Sequence, residues 1–230
     1  MTISPTKTAD ESGRGAETRR RLVRAGLELF GACDFDNVTT RQLAEAAGVN
    51  LAAIPYHFGT KEKLHLAVAE HIVTSIADAL ADDLKAIRRC VADEGAETED
   101  LLQALHSFIV SFAREILGSD DAAARAGFIL RQQLSPGAAF DVLYQGVMHD
   151  AHRTLTALVA RILGAEPGSP RMVRRAHAIL GQVLFFRMAR EVVLRELDTD
   201  RIDAGQVGEE IAVQTVVGLR AEAHAAGGSV

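Results

Sequence analysis

Apolar residues recur every three or four positions along almost the whole chain, with no alternating stretch of any length, and this pattern predicts an all-α fold. Leu22, Ala25, Gly26, Leu29, Phe30 and Cys33 give one buried stripe on a first helix from about Ala16 to Cys33. Residues 1–15 are polar, with Ser, Thr, Gly and Pro, and are expected to be a disordered arm. Two short helices follow. Thr39 is placed to cap the first, with Gln42 three residues on to close a capping box and Val38 and Leu43 to form a hydrophobic staple. Gly48 stops it, since a residue without Cβ enters the left-handed conformation at little cost. Asn50 is placed to cap the second, Phe58-Gly59 to close it, and Thr60 to cap a third.

From Lys61 a long helix carries Leu64, Val68, Ile72, Ile76, Leu80, Leu84 and Ile87. Leu101 to Ile116 and Ala122 to Leu134 mark two more. Ser135-Pro136 and Ser169-Pro170 pair a cap with a first-turn proline, a strong start signal. They open helices running to about Gly164 and Leu197, and a last helix covers about Asp203–Ala223. The sum is nine helices in two parts, a head over residues 16–62 and a body over 63–225.

Two short helices joined through a glycine turn form a helix-turn-helix unit, whose second helix enters a major groove. On this reading Thr39, Thr40, Arg41, Tyr56, His57 and Lys61 lie along phosphates, while Asn50, Leu51, Ala52, Ala53 and Pro55 face base edges. The arginines at 19, 20, 21 and 24 are further phosphate candidates. The partner is then double-stranded DNA. Lys61→Ala is expected to weaken binding to all sequences alike and to lower the salt slope by about one unit.

The run TTRQLAEAAGVNLAAIPYHFGTKEKL resembles the signature of TetR-family transcriptional regulators, carried by Thr39, Thr40, Leu43, Ala44, Ala47, Gly48, Val49, Tyr56, His57, Phe58, Thr60, Lys61 and Glu62. It departs from that pattern at Leu51, Ala52 and Ala53, and at Pro55, where a helix former is usual. Proline there cannot donate to the Leu51 carbonyl, a modest cost near a helix start. The base-reading set is therefore poor in polar groups, which shifts specificity toward methyl contacts, water and DNA shape. FILRQQLSPGAAFDVLY and HAILGQVLFFRMAREVVL resemble the C-terminal domain of the CecR-type branch of that family. The resemblance implies a body that serves as both effector pocket and dimer interface, its last two helices pairing with their copies as a four-helix bundle. What it implies for function is a ligand-responsive repressor that binds a palindromic operator as a homodimer and is released by a small molecule.

Val173, His177, Leu180, Leu184, Arg187, Glu191 and Leu194 fall on one seam at spacings of four and three, Phe185, Phe186, Met188, Val192 and Val193 widen its apolar surface, and with Ile211 and Thr215 these are candidates for a subunit interface. Arg187 and Glu191, four apart on that seam, are expected to form a buried ion pair. Phe108, Phe112, Phe128, Tyr144, Met148 and Phe185 are candidates for an apolar effector pocket, with Arg131, Gln132 and Gln133 as polar anchors. His149 and His152 could present two imidazoles to one metal, but no third ligand lies near them in sequence, so neither metal nor cofactor is expected.

The net charge of -6 over 230 residues looks wrong for a DNA binder until it is split. Residues 1–65 hold nine Lys/Arg against eight Asp/Glu, and the rest holds sixteen against twenty-three, so the head is the more basic part. Local charge, not the global balance, sets attraction to phosphate. Two cysteines exclude a disulfide framework and fit a reducing cytoplasm. No run of about 18 apolar residues suggests a membrane span. The sequence offers no phosphate-cradling glycine loop, nucleophile elbow or paired-carboxylate site, which argues against an enzyme.

Overall fold

The computed structural model describes residues 6–118 and 120–227, all helix and connecting turns with no strand among them. In chain order the helices are α1 (Thr6–Ala32), a 3-10 turn (Phe35–Asn37), α2 (Thr40–Ala46), α3 (Ala53–His57), α4 (Lys61–Ala92), α5 (Thr98–Leu117), α6 (Asp120–Leu134), α7 (Ala138–Leu143), a π turn (Tyr144–Met148), α8 (His149–Ile162), α9 (Pro170–Met188), α10 (Arg190–Glu196) and α11 (Ala204–Gly227).

The all-α reading holds, with eleven α-helices among the described residues instead of nine. Both extra helices come from interruptions. The helix expected to run unbroken to Gly164 is split by one π turn at Tyr144–Met148, which contains Gly146. The helix expected over 170–197 breaks at Ala189, whose φ of -96° and ψ of 22° leave the helical region. Of the expected arm, residues 1–5 lie outside the described residues, while from Thr6 the backbone is helical, so α1 starts earlier than about Ala16. Nothing between Pro5 and Pro55 breaks a helix as proline does, and the apolar stripe that marked the start reports only where burial begins.

The chain divides into two compact units. The first comprises Met1–Val73 with Ala124–Leu143, so most of α6 and all of α7 belong with the head and not with the body. Within it α1 packs on α2 and α3. Leu22, Phe30, Leu43, Ile54, Leu64 and Phe128 are fully buried there, each large apolar side chain contributing about 1.5–3 kcal/mol on burial. α6 crosses α1 backbone to backbone: a Cβ placed on Gly127 would stand 2.4 Å from the Gly31 carbonyl oxygen, and one on Gly31 would stand 2.5 Å from that of Ala124.

The second unit comprises Thr74–Ala123 and Tyr144–Val230. Its most extensive packing is α11 on α5, followed by α8 on α9. Gly208 makes the first possible, since a Cβ there would lie 2.8 Å from that of Ala113. α4 runs through both units. By length and composition it would suffice to cross a membrane. Its buried residues, however, form the one stripe from Leu64 to Ile87, and Glu70, Asp78, Asp82 and Lys85 are exposed, the distribution of a core helix.

Candidate nucleic-acid interface

The corner from Val38 to Lys63 is built by local chemistry. The Thr39 hydroxyl accepts from the Gln42 N–H at 3.2 Å, and the Gln42 side-chain oxygen accepts from the Thr39 N–H at 2.8 Å, so the capping box closes. Gly48 follows α2 at φ +59°. Its carbonyl accepts from Arg21 of α1 at 3.0 Å, and any Cβ at Gly48 would collide with that same guanidinium. The Asn50 side chain accepts from the Ala52 N–H at 2.8 Å, but this forms a turn, and α3 starts only at Ala53.

That late start explains how Pro55 is tolerated. It occupies the third position of α3, where an N–H would have no intrahelical partner, and the Leu51 carbonyl accepts instead from Ile54 at 3.3 Å. Gly59, at φ +81°, then turns the chain into α4, whose first turn is capped by Thr60 accepting from the Lys63 N–H.

On this corner Thr39, Thr40, Arg41, Asn50, Leu51, Ala52, Pro55 and Tyr56 are exposed, while Ala53 and His57 are half-buried. Tyr56 is 84% exposed and Leu51 51%, far more than a helical hairpin buried for packing alone would leave. The tyrosine stands edge-on to His57, ring centroids 4.9 Å apart.

Lys61 is placed differently from the sequence expectation. Its ammonium donates to the carbonyls of Phe35 at 3.0 Å and Val38 at 2.9 Å and lies 4.0 Å from the centre of the Phe35 ring. It clasps the 3-10 turn. The arginines of α1 are engaged too: Arg20 with Glu17, Arg24 with Glu28, Arg21 with Gly48, and Arg19 over the Phe58 ring. The cations on this corner with no hydrogen bond or ion pair to described residues are Arg41 and Lys63, both exposed. Sequence reasoning passed over Lys63, although it lies in the same helical turn as Lys61. We therefore expect Lys61→Ala to lower the melting temperature of the first unit while leaving the salt slope of DNA binding near wild type. Lys63→Ala and Arg41→Ala should each reduce that slope by about one unit without a stability loss. Melting curves and DNA titrations at several salt concentrations check both.

Behind this corner the His65 ring is enclosed by Phe30, Phe35 and Phe128 at centroid distances of 4.8, 5.0 and 4.8 Å. Burial, helped by the nearby Lys61 charge, pushes its pKa down to about 4. The imidazole is therefore neutral in the fold but titrates near 6.5 once unfolded. Between those values the unfolded chain binds the extra proton, so the stability that neutral His65 contributes is lost as pH falls from about 6.5 to about 4, at most ~1.4 kcal/mol per pH unit. His65→Phe should flatten the melting temperature of the first unit over that range.

The residues chosen for an effector pocket are divided between the two units. Phe128, Arg131 and Gln132 lie on α6 in the first unit. Arg131 closes the end of α1, donating to the carbonyls of Gly31 at 3.4 Å and Ala32 at 2.5 Å and to the Asp34 carboxylate at 2.9 Å. The close Gly31–Gly127 crossing pulls these side chains onto α1. Gln133 is exposed. In the second unit Phe108 stacks on Phe112 at 5.7 Å, Met148 is half-buried, and Tyr144 leans on His149. Phe185 is 65% exposed. Two cavities lie elsewhere in this unit, one of about 660 Å³ bounded by Phe186, Val192, Ile202 and Val207, and one of about 480 Å³ bounded by Leu117, Arg187, Arg190 and Arg201.

The candidates for a subunit interface fall on two faces of α9 and α11. Leu180 and Ile211 are buried within the protomer, and Leu184 and Thr215 are half-buried, Thr215 accepting from the Gln182 amide at 3.5 Å. The outward face carries Val173, His177, Gly181, Phe185 and Met188 on α9, with Val213 and Val217 on α11. The expected Arg187–Glu191 pair does not form as a buried pair: the break at Ala189 interrupts the helix between them, and Glu191 is exposed and bonded to Arg195 at 2.9 Å. His152 stacks on His177 at 5.4 Å, and burial, then the neighbouring imidazole, lowers its pKa. No group of three metal-ligating side chains exists among the described residues.

Comparison with known proteins places both parts of the chain in one family. Residues 22–68 match the family model of bacterial regulatory proteins of the tetR family, and residues 101–221 match that of the C-terminal domain of the HTH-type transcriptional dual regulator CecR. CecR of Shigella flexneri is 35% identical over 185 residues, covering 79% of this chain and 80% of that protein. The HTH-type transcriptional repressor NicS of Pseudomonas putida is 33% identical over 93 residues, covering 37% of this chain and 44% of its own. The crystal structure of HlyIIR, a hemolysin II transcriptional regulator, superposes with a TM-score of 0.60 at 14% identity, over 90% of this chain and 98% of that one, a likeness of fold.

Proposed function

This chain belongs to the TetR family of transcriptional regulators, with a CecR-type C-terminal domain, and we propose that it acts as a cytoplasmic homodimeric repressor. In this reading two heads bind the half-sites of a palindromic operator, and a small ligand in each body releases them. The observation that carries the DNA-binding part is the capped corner that leaves Leu51, Ala52 and Tyr56 exposed beside unpartnered Arg41 and Lys63. Support for a dimer comes from the exposed apolar side chains of Val173, Phe185 and Met188 on α9 and Val213 and Val217 on α11, more than surface helices need. A symmetric pair of heads requires a palindrome. Ligand release requires only that the ligand prefer the conformation with lower DNA affinity.

Because the relative CecR is named a dual regulator, activation at some promoters is the second reading. Genomic footprinting with the purified protein, followed by a reporter behind each bound site with the gene present or deleted, separates the two. Bound palindromes whose reporters rise on deletion support repression, and falling reporters support activation. A protein that coats DNA without preference would refute both. Substitutions at Leu51 or Ala52 should alter the selected operator, since each mismatched contact costs about 1–3 kcal/mol. Selection from a random DNA library would return the wild-type consensus if these side chains do not face bases.

A further inference from the structure

Several arginines in this acidic chain are matched to carboxylates, as in Arg88–Asp150, Arg131–Asp34, Arg175–Glu222, Arg195–Glu191 and Arg220–Glu99. Arg190 and Arg201, just after α9, have no such carboxylate among the described residues. Arg187, Arg190 and Arg201 line one cavity of about 480 Å³, and no Asp or Glu is among the described residues lining it. Arg190 donates to the Asp200 carbonyl at 3.2 Å, which orients its guanidinium without neutralising it. The Arg201 guanidinium has no hydrogen bond or ion pair to any described residue. Two carboxylates close by in sequence are turned to other work: Glu191 holds Arg195, and Asp203 accepts from the Gln206 N–H at 3.0 Å.

The chain is folded to bring this about. The break at Ala189 ends α9, and Asp198, at φ +50°, turns the segment after α10 back so that Arg201 joins Arg187 and Arg190 on one cavity. Arg201 and Ile202 also belong to the neighbouring cavity of about 660 Å³, whose walls include Phe186, Val192, Val193 and Val207. The two together offer a cationic end and an apolar trough, at volumes typical of small-molecule sites. Glu196, Asp203 and Glu210 on the trough would repel an anion there, which orients a ligand with its charge toward the arginines.

We propose that the effector is an amphipathic organic anion, its carboxylate or phosphate held by the forks of Arg190 and Arg201 and its apolar body lying along Phe186, Val192 and Val207. This deepens the ligand-responsive reading above and rests on it. A guanidinium fits both head groups bidentately, so the probes are decanoate, decyl phosphate and decanol, each used below its aggregation concentration.

Calorimetric titration of the full chain should show saturable binding of at least one of the two anions. Decanol should bind tenfold or more weakly, and whichever anion binds more tightly identifies the head group. In the Arg190→Gln/Arg201→Gln double variant the affinity should fall by roughly tenfold or more, as expected for lost charge-assisted bonds. Arg195→Gln, outside the cavity, should bind as wild type. Melting temperature without ligand monitors folding, and if the double variant melts early, Arg201→Gln alone, at an exposed side chain, carries the test. The bound anion should also weaken the protein's grip on its operator, and the double variant should stay bound to DNA at anion concentrations that release the wild type. No saturable anion binding, wild-type affinity in the variant that lacks Arg201 or both arginines, equal binding by decanol, or binding that leaves DNA affinity unchanged each overturns the proposal. Operator recognition by the ligand-free protein, measured in parallel, reports on the regulator reading itself, so failure of the site and failure of that reading are distinguishable.

Discussion

Replacing Gly127 by leucine is expected to unfold the first unit at a temperature about 10 °C or more below wild type. The cause is steric and has no cheap escape. A Cβ at this position would stand 2.4 Å from the Gly31 carbonyl oxygen and 3.5 Å from the Gly31 Cα, and these are backbone atoms that cannot rotate aside. Helices α1 and α6 would have to separate. Overpacking alone costs about 1–3 kcal/mol. Separation also withdraws Arg131 from the carbonyls of Gly31 and Ala32 and from Asp34, and hydrogen bonds to a charged group contribute about 1.5–3 kcal/mol each. The Phe128 wall of the His65 enclosure moves with α6 as well. Several kcal/mol is a large part of the ~5–15 kcal/mol that holds a typical domain. Arg131→Ala should lose only the hydrogen-bonded share and melt between Gly127→Leu and wild type. DNA affinity measured well below both transitions should survive in Arg131→Ala if the head remains folded. A Gly127→Leu protein that melts within 2 °C or so of wild type would mean the two backbones do not pack this closely.

Which features were legible in the sequence follows from how far apart the interacting residues are. The capping box at Thr39 and Gln42, the left-handed Gly48, the stop at Gly59 and the tolerated Pro55 all depend on atoms within four residues, and each was readable from residue type and spacing. Lys61 was not. Whether its ammonium meets a phosphate or a carbonyl depends on where the turn at Phe35–Asn37 lies, 23 to 26 residues earlier in the chain. The same limit hid the role of Arg131, whose partners lie 97 to 100 residues away. On α9 the difficulty was phase. Apolar residues occupy both the inner row of Met172, Ala176, Ile179 and Val183 and the outer row of Val173, Phe185 and Met188, so a spacing of three and four fits either. The break at an alanine, the best of helix formers, has no signature in local propensity. That break separates Arg187 from Glu191 and replaces an expected buried ion pair with an arginine-lined cavity.

Phe185→Glu is expected to convert the proposed homodimer to a monomer and to lower operator affinity by about 100-fold or more. Within one protomer the substitution should cost little, because Phe185 is 65% exposed. In the dimer that we propose, the outward face of α9 and α11 is buried against its copy. Symmetry then places the new carboxylate in the interface twice. Each buried unpaired charge carries a penalty of several kcal/mol, and about 2.8 kcal/mol already accounts for a hundredfold change. Gly181 and Gly218, with open space where a Cβ would stand, leave room for the two copies to approach closely, so water would not readily remain to solvate the charge. Leu180→Ala is the contrasting substitution. Its side chain is buried inside the protomer, so it should lower folding stability by about 2–5 kcal/mol while the protein that stays folded remains dimeric. Light scattering after size exclusion, melting curves and operator titration distinguish the two patterns. A Phe185→Glu protein that stays dimeric with wild-type operator affinity would remove α9 from the interface, whatever becomes of the head.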